Sequence, residues 1–272
     1  MMEFLSIMAA PFAACLVLIG IHTYLGVHVL AREVIFVDLA LAQVAALGAA
    51  AAAVAGLEAE GVAAYALSLG AALLAAGLFS VTRTQRHDVS QEAVIGIAYA
   101  VAAAGAILIM NRLPHGGEEI KALLVGSILW VSWREVLVTA ALYAVIGLLH
   151  WAWRERFLTI SNDPDEARRR GYRIRLWDFV FYAMFGVVVT RSVRIAGVLL
   201  VFCFLIVPAV GASLFAQALR TRLLIGWLMG TAVSMVGCAM SYYWDLPTGA
   251  TVVCAFGAVL AMLGVVRATR HA

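Results

Sequence analysis

Residues 195–218 read IAGVLLVFCFLIVPAVGASLFAQA, 24 consecutive positions without a charge. A helix crossing the hydrocarbon core of a bilayer needs ~20 mostly apolar residues, so this stretch is long enough to span. Eight more stretches read the same way: Phe4 to Leu30, Val34 to Gly56, Val62 to Val81, Glu92 to Met110, Val131 to Trp153, Leu176 to Thr190, Leu223 to Trp244 and Gly249 to Val266. Between the fourth and fifth, Ile120 to Trp130 is apolar but too short to cross, which fits a re-entrant or interfacial segment. The expected fold class is therefore all-α, a polytopic membrane protein of about nine transmembrane helices.

Composition supports this and excludes alternatives. The 272 residues are 64% hydrophobic and 13% charged, with a mean hydropathy of +0.98. Soluble domains carry roughly 25% charged residues, so there is no room for a separate soluble domain and residues 1–272 read as a single transmembrane domain. A formal net charge of +3 is too small to argue for nucleic acid. Cys15, Cys203, Cys238 and Cys254 lie in apolar runs far apart in sequence, which suggests packing residues and not a disulfide framework or metal knuckle. The N-terminal MMEFLSIMAA lacks the basic region of a cleaved signal peptide, so the first apolar run reads as a retained span.

Charge gives the expected topology. Alternate loops hold Arg32, then Arg83 and Arg86, then the segment 154–175, then Arg220 and Arg222, then Arg267 and Arg270. The intervening loops hold Glu58 and Glu60, then His115, Glu118 and Glu119, then Arg191 and Arg194, then Asp245. The positive-inside rule makes the Arg-rich set cytoplasmic. The N-terminus is then outside and the C-terminus inside, with Arg191 and Arg194 on the unfavoured side. In the one sizeable cytoplasmic loop, about 154–175, Asp163 can cap a helix with Pro164 at its first position and Glu166 three residues after the cap. Arg168 to Arg170 and Gly171 suit its end. A solvated turn, a docking face for a cytoplasmic partner or one for anionic lipid are all compatible with this loop.

Ionisable groups inside a span cost roughly 2.5 to 3.5 kcal/mol at the helix centre and normally face the protein interior. Asp38, Glu92 and Asp245 are such carboxylates at or near the membrane. Asp38 and Glu92 each begin a span, where an acid also suits the helix macrodipole; ion path and helix start both remain open. Asp245, beside Pro247 and Gly249, reads as a turn residue or part of an entry gate. His22 and His28 are six residues apart, about 240° around a helix, so they cannot share one ion from one face. His22 is either a hydrogen-bonded core residue or a transient ligand. The outer cluster His115, Glu118 and Glu119 reads as a solvated loop or a cation-attracting one. Gly and Ala dominate the second to fourth spans and permit close helix approach in lipid. Pro208 is expected to kink or end its helix.

Several of these patterns together resemble the integral-membrane permease of bacterial zinc/manganese-type metal-uptake ABC transporters. They are Gly26-Val-His-Val-Leu-Ala-Arg32 leading into Phe36-Val-Asp-Leu-Ala-Leu-Ala-Gln-Val-Ala-Ala-Leu-Gly48, then Glu92-Ala-Val-Ile-Gly-Ile97, Leu124-Val-Gly-Ser-Ile-Leu129 and the loop Asp165-Glu-Ala-Arg-Arg-Arg-Gly171. Gly197-Val-Leu-Leu-Val-Phe-Cys-Phe-Leu-Ile-Val-Pro-Ala209 and Ser241-Tyr-Tyr-Trp-Asp-Leu-Pro-Thr-Gly-Ala250 complete the set. The resemblance implies a homodimeric permease in the bacterial cytoplasmic membrane, served by a cytoplasmic ATPase and an extracytoplasmic metal-binding protein. It implies a divalent metal as transported substrate, zinc first and manganese or iron next, and no permanently bound cofactor. The chain contains no GxxxxGK[ST] phosphate loop, so ATP hydrolysis belongs to another polypeptide. The family's second span usually pairs an acid with a His four residues on; here the pair is Asp38 and Gln43, five apart, with no His in that span. The stretch from Ser213 through Gln217 and Arg220 to Arg222, after Pro208 at the inner face, is expected to form a short helix that couples to the ATPase. A permease for a metal chelate or corrinoid, and a proton-coupled secondary carrier, are the alternatives; a carrier should show inverted repeats with paired buried acids, and no such symmetry is visible.

Overall fold

The structure, a computed structural model, describes residues 2–58, 61–83, 90–112 and 124–271. Among them are ten α-helices and one 3-10 turn, with no strand: α1 Met2–Ala31, α2 Val37–Val54, α3 Val62–Thr82, α4 Gln91–Met110, the turn Ile128–Trp130, α5 Trp133–Ala152, α6 Arg154–Asn162, α7 Pro164–Arg169, α8 Ile174–Ser213, α9 Leu219–Trp244 and α10 Thr248–His271. Eight of these are long and apolar enough to cross a membrane; α6 and α7 are not.

The boundary between the sixth and seventh expected spans needs one correction. α8 covers 40 residues, and it consists of two helical segments that meet at a kink. It holds both stretches read as separate spans from Leu176 and from Ile195. No loop separates them: Arg191 and Arg194 are helical, and the interruption is at Gly197, φ 75° and ψ 163°. That backbone is open to glycine and strained for a residue with a Cβ. The helix runs on through Pro208 for five residues to Ser213.

Contacts divide the chain into two compact units, Met1–Leu30 with Val125–Gly147 and Arg194–Ala272, and Ala31–Leu124 with Leu148–Val193. In the first, α1 and α9 run antiparallel through small residues. A Cβ on Gly226 would meet Thr23 Cγ2 at 2.5 Å, and one on Gly230 would meet Ile19 Cγ2 at 2.8 Å. Trp227 Nε1 donates to the Gly20 carbonyl at 3.1 Å, and the Phe4 ring sits 5.1 Å from that of Tyr242. Residues 124–130 form the irregular segment expected here, while residues 120–123 lie outside the described residues. Ser127 N–H donates to Ile195 O at 3.3 Å, and Gly126, φ 72°, would bring a Cβ within 2.2 Å of the Ala196 carbonyl carbon. Non-helical backbone at membrane depth is tolerated where protein covers it, and here the irregular segment covers the break in α8.

In the second unit, α2, α3 and α4 pack through the small residues noted in the sequence. A Cβ on Gly48 would lie 2.8 Å from Leu67 O, and Ser68 Oγ donates to Ala45 O at 2.7 Å. The loop after α5 is more structured than expected. α6 buries Phe157, Ile160 and Ser161. α7 follows the sequence reading: Asp163 Oδ1 accepts from Glu166 N–H at 2.8 Å, Pro164 opens the helix and Gly171 is left-handed at φ 73°.

Candidate functional site

Asp38 stands in the first turn of α2. Its side chain is buried at 1% exposure, and neither carboxylate oxygen has a hydrogen-bond partner among the described residues. Glu92 stands in the first turn of α4. Its Oε1 accepts from the backbone N–H of Phe36 at 3.1 Å, and Phe36 is the residue that caps α2. Glu92 Oε2 is buried without a partner among the described residues. The starts of α2 and α4 therefore meet, and two carboxylates gather there with three buried oxygens unsatisfied. A buried, unpaired carboxylate is costly, and carboxylate oxygens can hold a cation or a proton.

Gln43 is half-buried on α2. Five residues from Asp38, it sits about 140° further around the helix, so it does not extend the carboxylate pair from the same face.

His22 belongs to the other unit. It is fully buried, its Nδ1 hydrogen-bonds the Leu18 carbonyl at 2.8 Å, and its ring meets Tyr143 edge-on at 6.3 Å. Its Nε2 is buried without a partner among the described residues, as is Thr23 Oγ1. His28 packs against Tyr24, 4.8 Å between rings. Asp245 is an exposed left-handed residue, φ 51°, that ends α9. Ser241 O accepts from Leu246 N–H at 3.0 Å, which is turn geometry. Among the described residues no three His, Cys, Asp or Glu side chains gather as a group that could hold a metal ion. His115, Glu118, Glu119, Glu60 and Arg86 lie outside the described residues.

The stretch around Ser213 departs from expectation. It is a turn between α8 and α9, and not a short helix of its own. Ser213 Oγ folds back to Ala209 O at 2.7 Å. Arg222 Nε donates to Ala216 O at 2.9 Å, and Arg267 Nη1 to Leu214 O at 2.6 Å. These cations are spent on the turn's own carbonyls, which would otherwise lack partners. Arg220 heads the first turn of α9 and Gln217 precedes it.

The sequence reading missed a buried ion cluster in the second unit. Arg32 Nη1 and Asp178 Oδ1 are 2.6 Å apart, with side-chain exposures of 1% and 0%. Arg83 Nη1 reaches both oxygens of Asp178, at 2.7 and 2.8 Å. Arg32 Nε donates to Ser161 Oγ of α6 at 2.9 Å, and its guanidinium lies 4.0 Å above the Phe181 ring. Gln91 Nε2 ties Phe79 O, at 3.0 Å, to Tyr182 Oη, at 3.1 Å. Arg32 and Arg83 had been read only as loop charges. The available signal was Asp178, a carboxylate two residues into an apolar run.

On α7 the exposed charges pair among themselves. Glu166 accepts from Arg170 Nε and Arg169 Nε at 2.8 Å each, and these two guanidiniums, Arg170 first, hold its carboxyl below the usual range. Arg170 also reaches Glu155 at 2.9 Å, and Arg168 pairs with Asp165.

Comparison with known proteins adds to this geometry. The model of the ABC 3 transport family matches residues 4–267. A Haemophilus influenzae protein described as "Probable iron transport system membrane protein" is 24% identical over 169 residues, 62% of this chain and 62% of the relative. The "Manganese transport system membrane protein MntC" of Halalkalibacterium halodurans is 24% identical over 170 residues, 62% of this chain and 58% of the relative. The matched region thus spans less than two thirds of either relative. Among solved structures, PsaBC from Streptococcus pneumoniae in complex with Fab superposes with a TM-score of 0.79 at 19% identity, over 96% of this chain and 94% of that one; at that identity the likeness is one of fold.

Proposed function

The chain belongs to the ABC 3 transport family, and on that premise we propose that it is the permease subunit of an ATP-driven importer of divalent metal ions in the bacterial cytoplasmic membrane. Two copies form the pathway, a cytoplasmic ATPase drives it and an extracytoplasmic metal-binding protein feeds it. The observation that carries the metal reading is the junction of α2 and α4, where Asp38 and Glu92 present buried oxygens without partners. The ion passes this point held by carboxylate oxygens. Oxygen donors suit manganese better than zinc, and the relatives described as iron and manganese transport proteins support placing those two metals first. Zinc, placed first from the sequence, moves behind them. Family membership supports this reading over a proton-coupled carrier.

The ATPase contact is better placed on α7 than on the turn after Ser213. A coupling element must transmit force, and α7 is a capped, exposed helix joined through the non-helical Asp163 to α6, whose Ser161 joins the buried Arg32–Asp178 pair. In the turn at 214–218 the Ala216 and Leu214 carbonyls are occupied by Arg222 and Arg267. The test of the whole reading is ATP-dependent uptake of radiolabelled manganese, iron or zinc by proteoliposomes containing the permease with its ATPase and binding protein. Uptake of none of the three ions would overturn it.

A further inference from the structure

Segment 154–175 holds seven arginines against four acids. The acids are accounted for: Arg168, Arg169 and Arg170 pair with Asp165, Asp163, Glu166 and Glu155. Arg154, Arg156, Arg173 and Arg175 are exposed, and none of them pairs with a carboxylate among the described residues. These four sit where two spanning helices meet the loop, just after α5 and at the start of α8. The two helix ends are adjacent, because the rings of Trp153 and Trp177 are 5.5 Å apart. The Arg154 guanidinium lies 5.0 Å over the Trp151 ring, and that of Arg156 lies 4.6 Å over Trp177. Arg173 and Arg175 flank a helix N-terminus, where cations oppose the macrodipole, so their placement does not serve the helix.

The surface beside them is apolar. Leu148 and Trp151 on α5 are 64% and 65% exposed, and Leu176 and Phe179 on α8 are 51% and 38% exposed. An occupant of this face must offer negative oxygens to the guanidiniums and hydrocarbon to the helix sides. Guanidinium forks match phosphodiester oxygens, and Trp rings favour the headgroup level of a bilayer. We propose that Arg154, Arg156, Arg173 and Arg175, with Trp151 and Trp177, form a headgroup site for an anionic phospholipid of the inner leaflet, beside α6 and α7. The site is independent of which ion the protein carries.

The test uses full-length protein in liposomes containing brominated phosphatidylglycerol or, at the same mole fraction, brominated phosphatidylcholine, read by quenching of tryptophan fluorescence. Brominated phosphatidylglycerol is expected to quench more. Each arginine removed should weaken anionic lipid binding about five-fold, so the excess should be lost in both R154Q/R156Q and R173Q/R175Q, proteins whose insertion is checked separately. Unbrominated phosphatidylglycerol should compete and inorganic phosphate should not. Equal quenching by the two lipids, or an excess unchanged in both variants, overturns the proposal. So does a result in which the variants lose ATPase co-purification while the lipid preference is intact, since the face would then belong to a protein partner.

Discussion

Glu92 Oε1 accepts a hydrogen bond from the backbone N–H of Phe36 at 3.1 Å, so a carboxylate in the first turn of α4 satisfies an orphan donor at the start of α2. The same contact draws Glu92 toward Asp38, two residues further along α2. One carboxylate thus has a structural duty through one oxygen, while the other has none among the described residues.

This division separates two effects of substitution at Glu92. Glu92→Gln keeps an oxygen acceptor for Phe36 and loses the charge, so apparent melting temperature should hold while metal uptake falls. Glu92→Ala also loses the cap, a loss of about 1 kcal/mol, and should melt lower. Equal melting of the two variants would remove the capping role.

Asp178 holds two guanidiniums in a buried setting. Removing one partner of a buried pair costs about 3–5 kcal/mol because an uncompensated charge remains. Asp178→Asn should therefore destabilise the purified protein strongly. Arg83→Gln, whose parent side chain is 19% exposed, should cost clearly less. Thermal unfolding in detergent measures both, and the reverse order would contradict the cluster as described.

Gly126 and Gly20 give a steric contrast. A Cβ at Gly126 meets Ala196 backbone at 2.2 Å with φ at 72°, whereas at Gly20 nothing lies within 4 Å. Gly126→Ala should lose at least about 2 kcal/mol from strain and overpacking, and Gly20→Ala should be near neutral. Comparable yields of monodisperse protein from the two would argue against the wedge of residues 124–130 on the α8 break.

The spans were legible because lipid demands long apolar runs and leaves few other solutions. The cap of α7 was legible because Asp163, Pro164 and Glu166 act within one turn. The Gly197 break was not: a loop was inferred from the charges of Arg191 and Arg194, yet helix continues through both and the interruption needs only a single glycine. Asp38 and Glu92 could be picked out singly as acids in apolar runs. Their junction through Phe36 depends on a packing of residues 56 positions apart, which no local pattern encodes. Asp178 escaped for the same reason, since its partners Arg32 and Arg83 come from distant helix ends.

Coupling offers a direct choice between two surfaces. Charge reversal at Arg168 and Arg169 on α7 should uncouple ATP hydrolysis from uptake, while reversal at Arg220 should have the smaller effect. A reporter fused at Arg170 and another at the C-terminus should both report cytoplasm. Full coupling in the α7 variant, with loss in Arg220→Glu, would return the contact to the stretch expected from sequence; an extracytoplasmic signal at Arg170 would invert the topology.

The central claim is that the Asp38 charge handles the passing ion. Asp38→Asn preserves side-chain volume and removes the carboxylate, and Asp38 is not the cap of α2. Uptake of radiolabelled manganese by proteoliposomes holding the full complex should fall steeply in this variant while its ATPase assembly and melting temperature remain those of the parent. Uptake at the parent rate by correctly assembled Asp38→Asn would contradict the account.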